Sequence, residues 1–194
     1  MVTMLGIDLS LTATGLAVYH PEMAGRTRHD SRYLATYTLS SDSKYDHSDP
    51  ARWDQILNQI WPFVDRSDAC LAVVEGTYPS MKSKVQASLA SLCSVLIYGL
   101  AARGAMHVSV QPSTLKVYAT GNGSASKPAV LKAVRQRYGH LLPIANDNEA
   151  DALTLLAMAF DHYNWPLVDV PRNHRLSLDT LTTAWPQLHT KGTT

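Results

Sequence analysis

An α/β fold is the expectation from three stretches of this 194-residue chain. Met4–Val18, MLGIDLSLTATGLAV, opens with the apolar run Leu5–Ile7. A turn of small residues leads to a second run, Leu16–Tyr19, the pattern of two joined strands. Ala69–Val74 is apolar throughout, as in a strand covered on both faces. Between them Trp53, Ile56, Leu57, Ile60 and Phe63 or Val64 recur at helical spacing, which makes Ala51–Val64 an amphipathic helix. A strand, a helix and a parallel strand in this order form a right-handed crossover.

The remaining elements follow in order. His20–Ser31, with Pro21 and Gly25, reads as a polar loop, and Arg32–Leu39, rich in β-formers, as a third strand. Ser40–Asp49 is a polar connection. Pro50 suits the first turn of the helix that follows, and Pro62 is expected to stop that helix early. Ser80–Arg103 has no Gly or Pro before Gly99 and forms one long helix with Met81, Val85, Leu89, Leu92, Val95, Leu96 and Leu100 at helical spacing. So little of its surface is polar that it needs cover on more than one side, either as a core helix alone or as core and subunit interface together. His107–Val110 is a short strand stopped by Pro112, and Ser113–Tyr118 makes one or two helical turns. Ala119–Lys127 is a Gly/Ser/Asn loop; Ser126 caps a helix over Ala129–Tyr138, with Pro128 in its first turn. Asn146, with Glu149 three residues later, opens a last long helix that runs to about His162. Residues 164–194 read as an extended arm with a short helix over Leu178–Ala184.

With 45% hydrophobic and 17% charged residues, the composition is that of one globular domain with a full core. Cys70 and Cys93 lie in apolar surroundings and read as buried thiols of a reducing compartment, not as a disulfide. No stretch reads as a membrane span or a signal segment, so a cytoplasmic protein with no membrane partner is expected. The net charge of +1 hides an asymmetry. From Gly76 to Asn146 there is no acid, but there are eight bases: Lys82, Lys84, Arg103, Lys116, Lys127, Lys132, Arg135 and Arg137. The rest of the chain holds nine bases against sixteen acids. One basic face and a polyanionic partner follow. Lys127 opens a helix, where its charge opposes the helix dipole, and fits best beside an anion such as phosphate.

Three acids stand where a charge needs a reason. Asp8 and Glu75 each end an apolar strand, and if the strands are neighbours both emerge at the carboxyl edge of the sheet. Asp151 lies one turn inside the last helix, with Leu155 and Met158 on its face, so it points toward the sheet. Three clustered carboxylates are jointly ionised at neutral pH only with cations among them. Hard oxygen ligands without a His/Cys cluster suit Mg²⁺ or Mn²⁺.

The segments LGIDLSLTATGLAV, AVVEGTY, GNGSASKPAV and NDNEADALTLLAMA resemble, in order, the motifs of RuvC-type Holliday junction resolvases, members of the retroviral-integrase/ribonuclease H superfamily. The resemblance covers Met4 to about Tyr163. Motif spacing and the stretch HRLSLDTLTTAWP are most similar to the phage-encoded, actinobacteriophage-type branch. It implies an RNase H-like five-stranded mixed sheet of order 3-2-1-4-5 flanked by helices on both faces. The nuclease domain would span 1–163 and the arm 164–194. It further implies a homodimer, acting in the host cytoplasm if phage-encoded, that resolves Holliday junctions or other branched DNA, forks and flaps included. Four acidic positions would hold two Mg²⁺ ions per site, with Mn²⁺ as a substitute. Asp8, Glu75 and Asp151 match the family residue for residue. The fourth position departs: Asn148 stands where the family commonly has an acid or His, and Asp147 is the nearest carboxylate. Charge favours Asp147 and register favours Asn148. Lys127 and Lys116 match basic positions near the scissile phosphate; Lys82, Lys84 and Lys132 join them as nucleic-acid contacts. The implied catalytic set is Asp8, Glu75, Asp147, Asp151 and Lys127. The implied chemistry is phosphodiester hydrolysis to 5′-phosphate and 3′-hydroxyl ends.

Three rival readings belong beside it. The Gly-Ile-Asp-x-Ser-x-Thr-x-Thr-Gly turn also resembles the phosphate loop of actin-like ATPases and sugar kinases, which need two such domains. An RNA-processing nuclease of the same superfamily, or a binding-only junction protein, would share most of these features.

Overall fold

The computed structural model describes residues 2–20, 33–67, 69–76, 83–179, 181 and 185–188. The polar loop after His20, Lys82 and the start expected for the long helix lie outside them. Five strands form one sheet of order β3-β2-β1-β4-β5: β1 Thr3–Asp8, β2 Ala13–Tyr19, β3 Leu34–Ser40, β4 Cys70–Glu75 and β5 Met106–Val110. β1 pairs antiparallel with β2 and parallel with β4; β3 lies antiparallel to β2 and β5 parallel to β4. The mixed sheet and its order are those the sequence resemblance implies.

Alternation along the central strands divides the core. Leu5, Ile7, Ala72 and Val74 face α1 (Pro50–Asp65) and α2 (Lys84–Ala102). Met4, Leu71 and Val73 face a second layer formed by α3 (Pro112–Thr120), α4 (Lys127–Tyr138) and α5 (Asp147–His162). Both faces of β1 and β4 are therefore sealed, which is why these strands read as unbroken apolar runs. α5 is the central helix of its layer, buried from Glu149 to Asp161 except at Asp151. It presses so close to the sheet that a Cβ on Gly6 would collide with the Ala152 carbonyl, and one on Gly15 with that of Asn148. These two glycines set how deep α5 sits.

Four details differ from the sequence expectations. α1 continues through Pro62 to Asp65. Pro62 is exposed, and so is Asn58, whose carbonyl loses its helical partner to the proline ring and is left to water. α2, with 19 residues and a mean hydropathy of 1.7, has the length and composition of a membrane span. Here it is a core helix, with Leu92, Leu96 and Leu100 fully buried under the sheet. Ser126 precedes α4 without a side-chain capping bond. The C-terminal helix, α6, runs over Arg172–Asp179, where an extended arm is expected up to Leu178, and is not free of the domain; of the helix expected over Leu178–Ala184, residues 180 and 182–184 lie outside the described residues. The Arg175 guanidinium lies 2.8 Å from the buried Asp161 carboxylate, and Leu178 and Trp185 join the core on the α5 side.

Candidate metal centre

The parallel register pairs Ile7 with Val74, so the next residues, Asp8 and Glu75, leave the sheet side by side at its carboxyl edge. Asp151, from the second turn of α5, meets them there. One ligand oxygen from each of the three lies within 4.8 Å of the others. All three residues are half-buried. Burial, with the charges of Glu75 and Asp151, raises the Asp8 carboxyl well above its usual range. Burial also raises Glu75, against the lowering effects of its hydrogen bond with Asp8 and of Lys127 and Lys116. Asp151 is pushed up to about 7, first by burial and then by the Glu75 charge. Three acids that resist ionisation together, with only oxygen donors between them, fit a hard divalent cation. A cation repays the desolvation that raises them and replaces their protons.

The other predicted site residues divide. Lys127 Nζ lies 3.0 Å from Asp147 Oδ2, and Asp147 stands outside the three-acid group. Lys127 still acts electrostatically on Asp8, Glu75 and Asp151, and Lys116 on Glu75 and Asp151. Asn148 is half-buried, its backbone packed against Gly15. Lys84, at the start of α2, and Lys132, on α4, are exposed. Lys82 lies outside the described residues. The arginines of the acid-free stretch have structural work. Arg103 bonds Asp65, Arg135 donates to the carbonyls of Ile144 and Ala145, and Arg137 donates to that of Tyr118. The positive charges that act on the three acids are those of Lys127 and Lys116. Cys70 and Cys93 are free and buried; burial pushes the Cys70 thiol up to about 12.

Two residues have supporting roles that the sequence reading did not assign. Arg52 is only 4% exposed and donates to the Leu11 carbonyl, Ser41 Oγ and the Tyr45 carbonyl, pinning the turn that follows Asp8. Its place on the buried face of α1, one turn before Ile56, was the available signal. Glu149 accepts from the hydroxyls of Thr36 and Thr38 and from the Ala145 amide. The Thr-x-Thr spacing on one face of a strand hinted that the two hydroxyls share a partner.

No family model matches the chain. A "Crossover junction endodeoxyribonuclease RuvC" of Neorickettsia sennetsu is 32% identical over 136 residues, which cover 70% of this chain and 78% of that one. The chain belongs to the RuvC family. A RuvC of Pseudarthrobacter chlorophenolicus is 29% identical over 159 residues, covering 81% of this chain and 78% of the relative. The RuvC fold agrees: Thermus thermophilus RuvC, solved in complex with a Holliday junction substrate, superposes with a TM-score of 0.57 at 16% identity. That match covers 88% of this chain and all of the other. A second structure of T. thermophilus RuvC gives 0.55 at 17%, over 82% and 94%. Membership in the RuvC family displaces the sugar-kinase-like reading of the turn after Asp8.

Proposed function

We propose that this chain is a divalent-metal-dependent endonuclease that cuts branched DNA, four-way junctions foremost. The three-carboxylate cluster of Asp8, Glu75 and Asp151, in a chain of the RuvC family, carries this reading. Two Mg²⁺ ions per site, replaceable by Mn²⁺, are the proposed cofactor, with Asp147 or Asn148 completing the ligand set. Bound divalent cations supply an activated water at neutral pH and neutralise charge on the scissile phosphate. Asp8, which feels the charges of both Glu75 and Asp151, would hold the cations together with those two carboxylates. Lys127 and Lys116 direct positive charge at the same point and are proposed to orient the phosphodiester. Lys82, Lys84 and Lys132 extend that field along the backbone of the substrate. The products are 5′-phosphate and 3′-hydroxyl ends.

We further propose a homodimer, because one site cuts one strand and resolution needs two opposed cuts. The outer face of α2 supports it: Val95 is 40% and Tyr98 75% exposed, with Ser91 and Ser94 beside them. A cytoplasmic setting, that of the host cell for a phage-encoded protein, agrees with the two free thiols. The nuclease domain is proposed to span 1–163, with 164–194 appended to it.

Asp8→Asn tests the reading. It should abolish Mg²⁺-dependent nicking of a four-way junction and retain junction binding, which rests on the lysines. Nicking at near wild-type rate would overturn the metal-site assignment. Matched RNA–DNA hybrids and branched DNA, assayed side by side, decide the substrate: faster cleavage of the hybrid would overturn the junction reading.

A further inference from the structure

Glu149 is a buried carboxylate outside the metal cluster, with no Lys or Arg among its hydrogen-bond partners in the described residues. It lies in the first turn of α5, 8% exposed. Its Oε2 accepts from Thr36 Oγ1 at 3.0 Å and from the Ala145 amide at 2.9 Å. Its Oε1 accepts from Thr38 Oγ1 at 3.0 Å. Thr38 in turn accepts from Asn146 Nδ2 at 2.8 Å, and Asn146 Oδ1 caps the Glu149 amide at 3.0 Å. A capping box would return the Glu149 side chain to the Asn146 amide. Here it reaches past the cap, to a strand more than a hundred residues away in sequence.

We propose that Glu149 is a positioning residue for the metal centre, tethering α5 to β3 so that Asp151 is held against Asp8 and Glu75; this rests on the metal-dependent reading above. Two residues along a helix turn through about 200°. Glu149 thus faces the β3 side of the sheet, and Asp151 leaves α5 on the opposite side, toward β1 and β4. Any roll of α5 about its axis moves Asp151 relative to the other two acids. Gly6 and Gly15 fix the depth of α5 but leave roll to be fixed elsewhere. The two threonine hydroxyls, on one face of β3, anchor the helix against it. The Glu149 side chain hydrogen-bonds Thr36, Thr38 and the Ala145 amide, not Asp8, Glu75, Asp151 or the lysines proposed to meet substrate, so its influence runs through the placement of α5.

The experiment compares wild-type protein, Glu149→Ala, Glu149→Gln and the pair Thr36→Val with Thr38→Val. Calorimetric titration with Mn²⁺ reads metal affinity, and nicking of a four-way junction across a Mg²⁺ titration reads function. Glu149→Ala and the threonine pair should each weaken Mn²⁺ binding by about tenfold, the lower end of what losing an orienting partner costs. The Mg²⁺ concentration for half-maximal nicking should rise by a similar factor while junction affinity holds. Glu149→Gln retains acceptor oxygen and a donor for the second threonine, and should recover most of the loss. Should Glu149→Ala fail to fold, the threonine pair, which keeps β-branched residues on the strand, carries the test. Full Mn²⁺ affinity in the tether variants, with only a lower melting temperature, would overturn the proposal. Wild-type protein that binds Mn²⁺ but nicks no branched DNA would overturn the nuclease reading instead, and calorimetry would still measure the tether.

Discussion

The Lys127 ammonium lies 3.0 Å from the Asp147 carboxylate and joins the first residues of α4 and α5. The pair sits at the rim of the acid cluster, and both partners are well exposed. An exposed pair of this kind stabilises by at most about 1 kcal/mol, so it can exchange partners when a cation or a phosphate arrives. Lys127 holds the Asp147 carboxyl below its usual range, so Asp147 is ionised and available as an anionic oxygen.

The first prediction concerns this residue. Asp147→Asn should lower single-turnover nicking about tenfold and raise the Mg²⁺ requirement, with Asn148→Ala milder on both counts, because a neutral amide is the weaker ligand for a hard cation. A Mg²⁺ titration of both variants decides it. A loss confined to Asn148→Ala would move the fourth ligand to Asn148. No loss in either would leave three protein ligands.

The second concerns pH. The Asp8, Glu75 and Asp151 carboxyls are raised in the folded state, chiefly by burial. A raised acid favours the folded state while protonated. Its contribution is complete below the unfolded value near 4 and is lost as pH climbs through the folded value, about 7 for Asp151. Metal-free protein should therefore lose on the order of 2–4 kcal/mol between about pH 4 and pH 7.5. Mg²⁺ should raise the melting temperature more at pH 8 than at pH 5.5, where protons compete for the same oxygens. Asp151→Asn should flatten both trends. A Mg²⁺ shift independent of pH would contradict the assignment.

How much of this could be read from sequence depends on where the information lies. Asp8 and Glu75 are legible because each ends an apolar run, and Asp151 because Leu155 and Met158 fix its helical face. The order of the sheet came from resemblance, since no local pattern says which strands become neighbours. Glu149 was legible only as a cap: its partners Thr36 and Thr38 are a fold away, and hydroxyls on a strand look the same whether they face water or a carboxylate. The helical state of Arg172–Asp179 was not legible, for a related reason. The residues of α6 are mostly polar, and it docks through long-range links, Arg175 to Asp161 and His174 against Gly121, that leave no apolar period to find. Pro62 misled because its cost depends on exposure, which the fold decides.

The third prediction separates the lysines by role. Lys84 and Lys132 are exposed on α2 and α4, and neither appears among the charges that act on the three acids. Lys84→Ala and Lys132→Ala should weaken junction binding and reduce the slope of log affinity against log salt by about one each, with single-turnover rate at saturation little changed. Lys127→Ala should instead cut the saturated rate by tenfold or more, because its charge acts at the reacting phosphate. Equal effects of all three on rate would refute this division.

The last prediction turns on two residues of one helix. Leu92 is fully buried against the sheet of its own chain, whereas Tyr98, less than two turns further along α2, is 75% exposed. Leu92→Ala removes core packing and should cost about 2–5 kcal/mol whether or not a partner is present. Its unfolding would say nothing of assembly, so a charge placed at Leu92 is a poor probe of a dimer. Tyr98→Glu faces solvent in the monomer and should change monomer stability by no more than about 0.5 kcal/mol. In the proposed homodimer the same carboxylate would be buried without a partner, which strongly opposes association. Light scattering at micromolar concentration should therefore show a dimer for wild type and a monomer of nearly unchanged melting temperature for Tyr98→Glu. That monomer should nick one strand of a four-way junction but fail at paired incision. A Tyr98→Glu protein that remains dimeric and makes paired cuts would place the interface away from this face of α2.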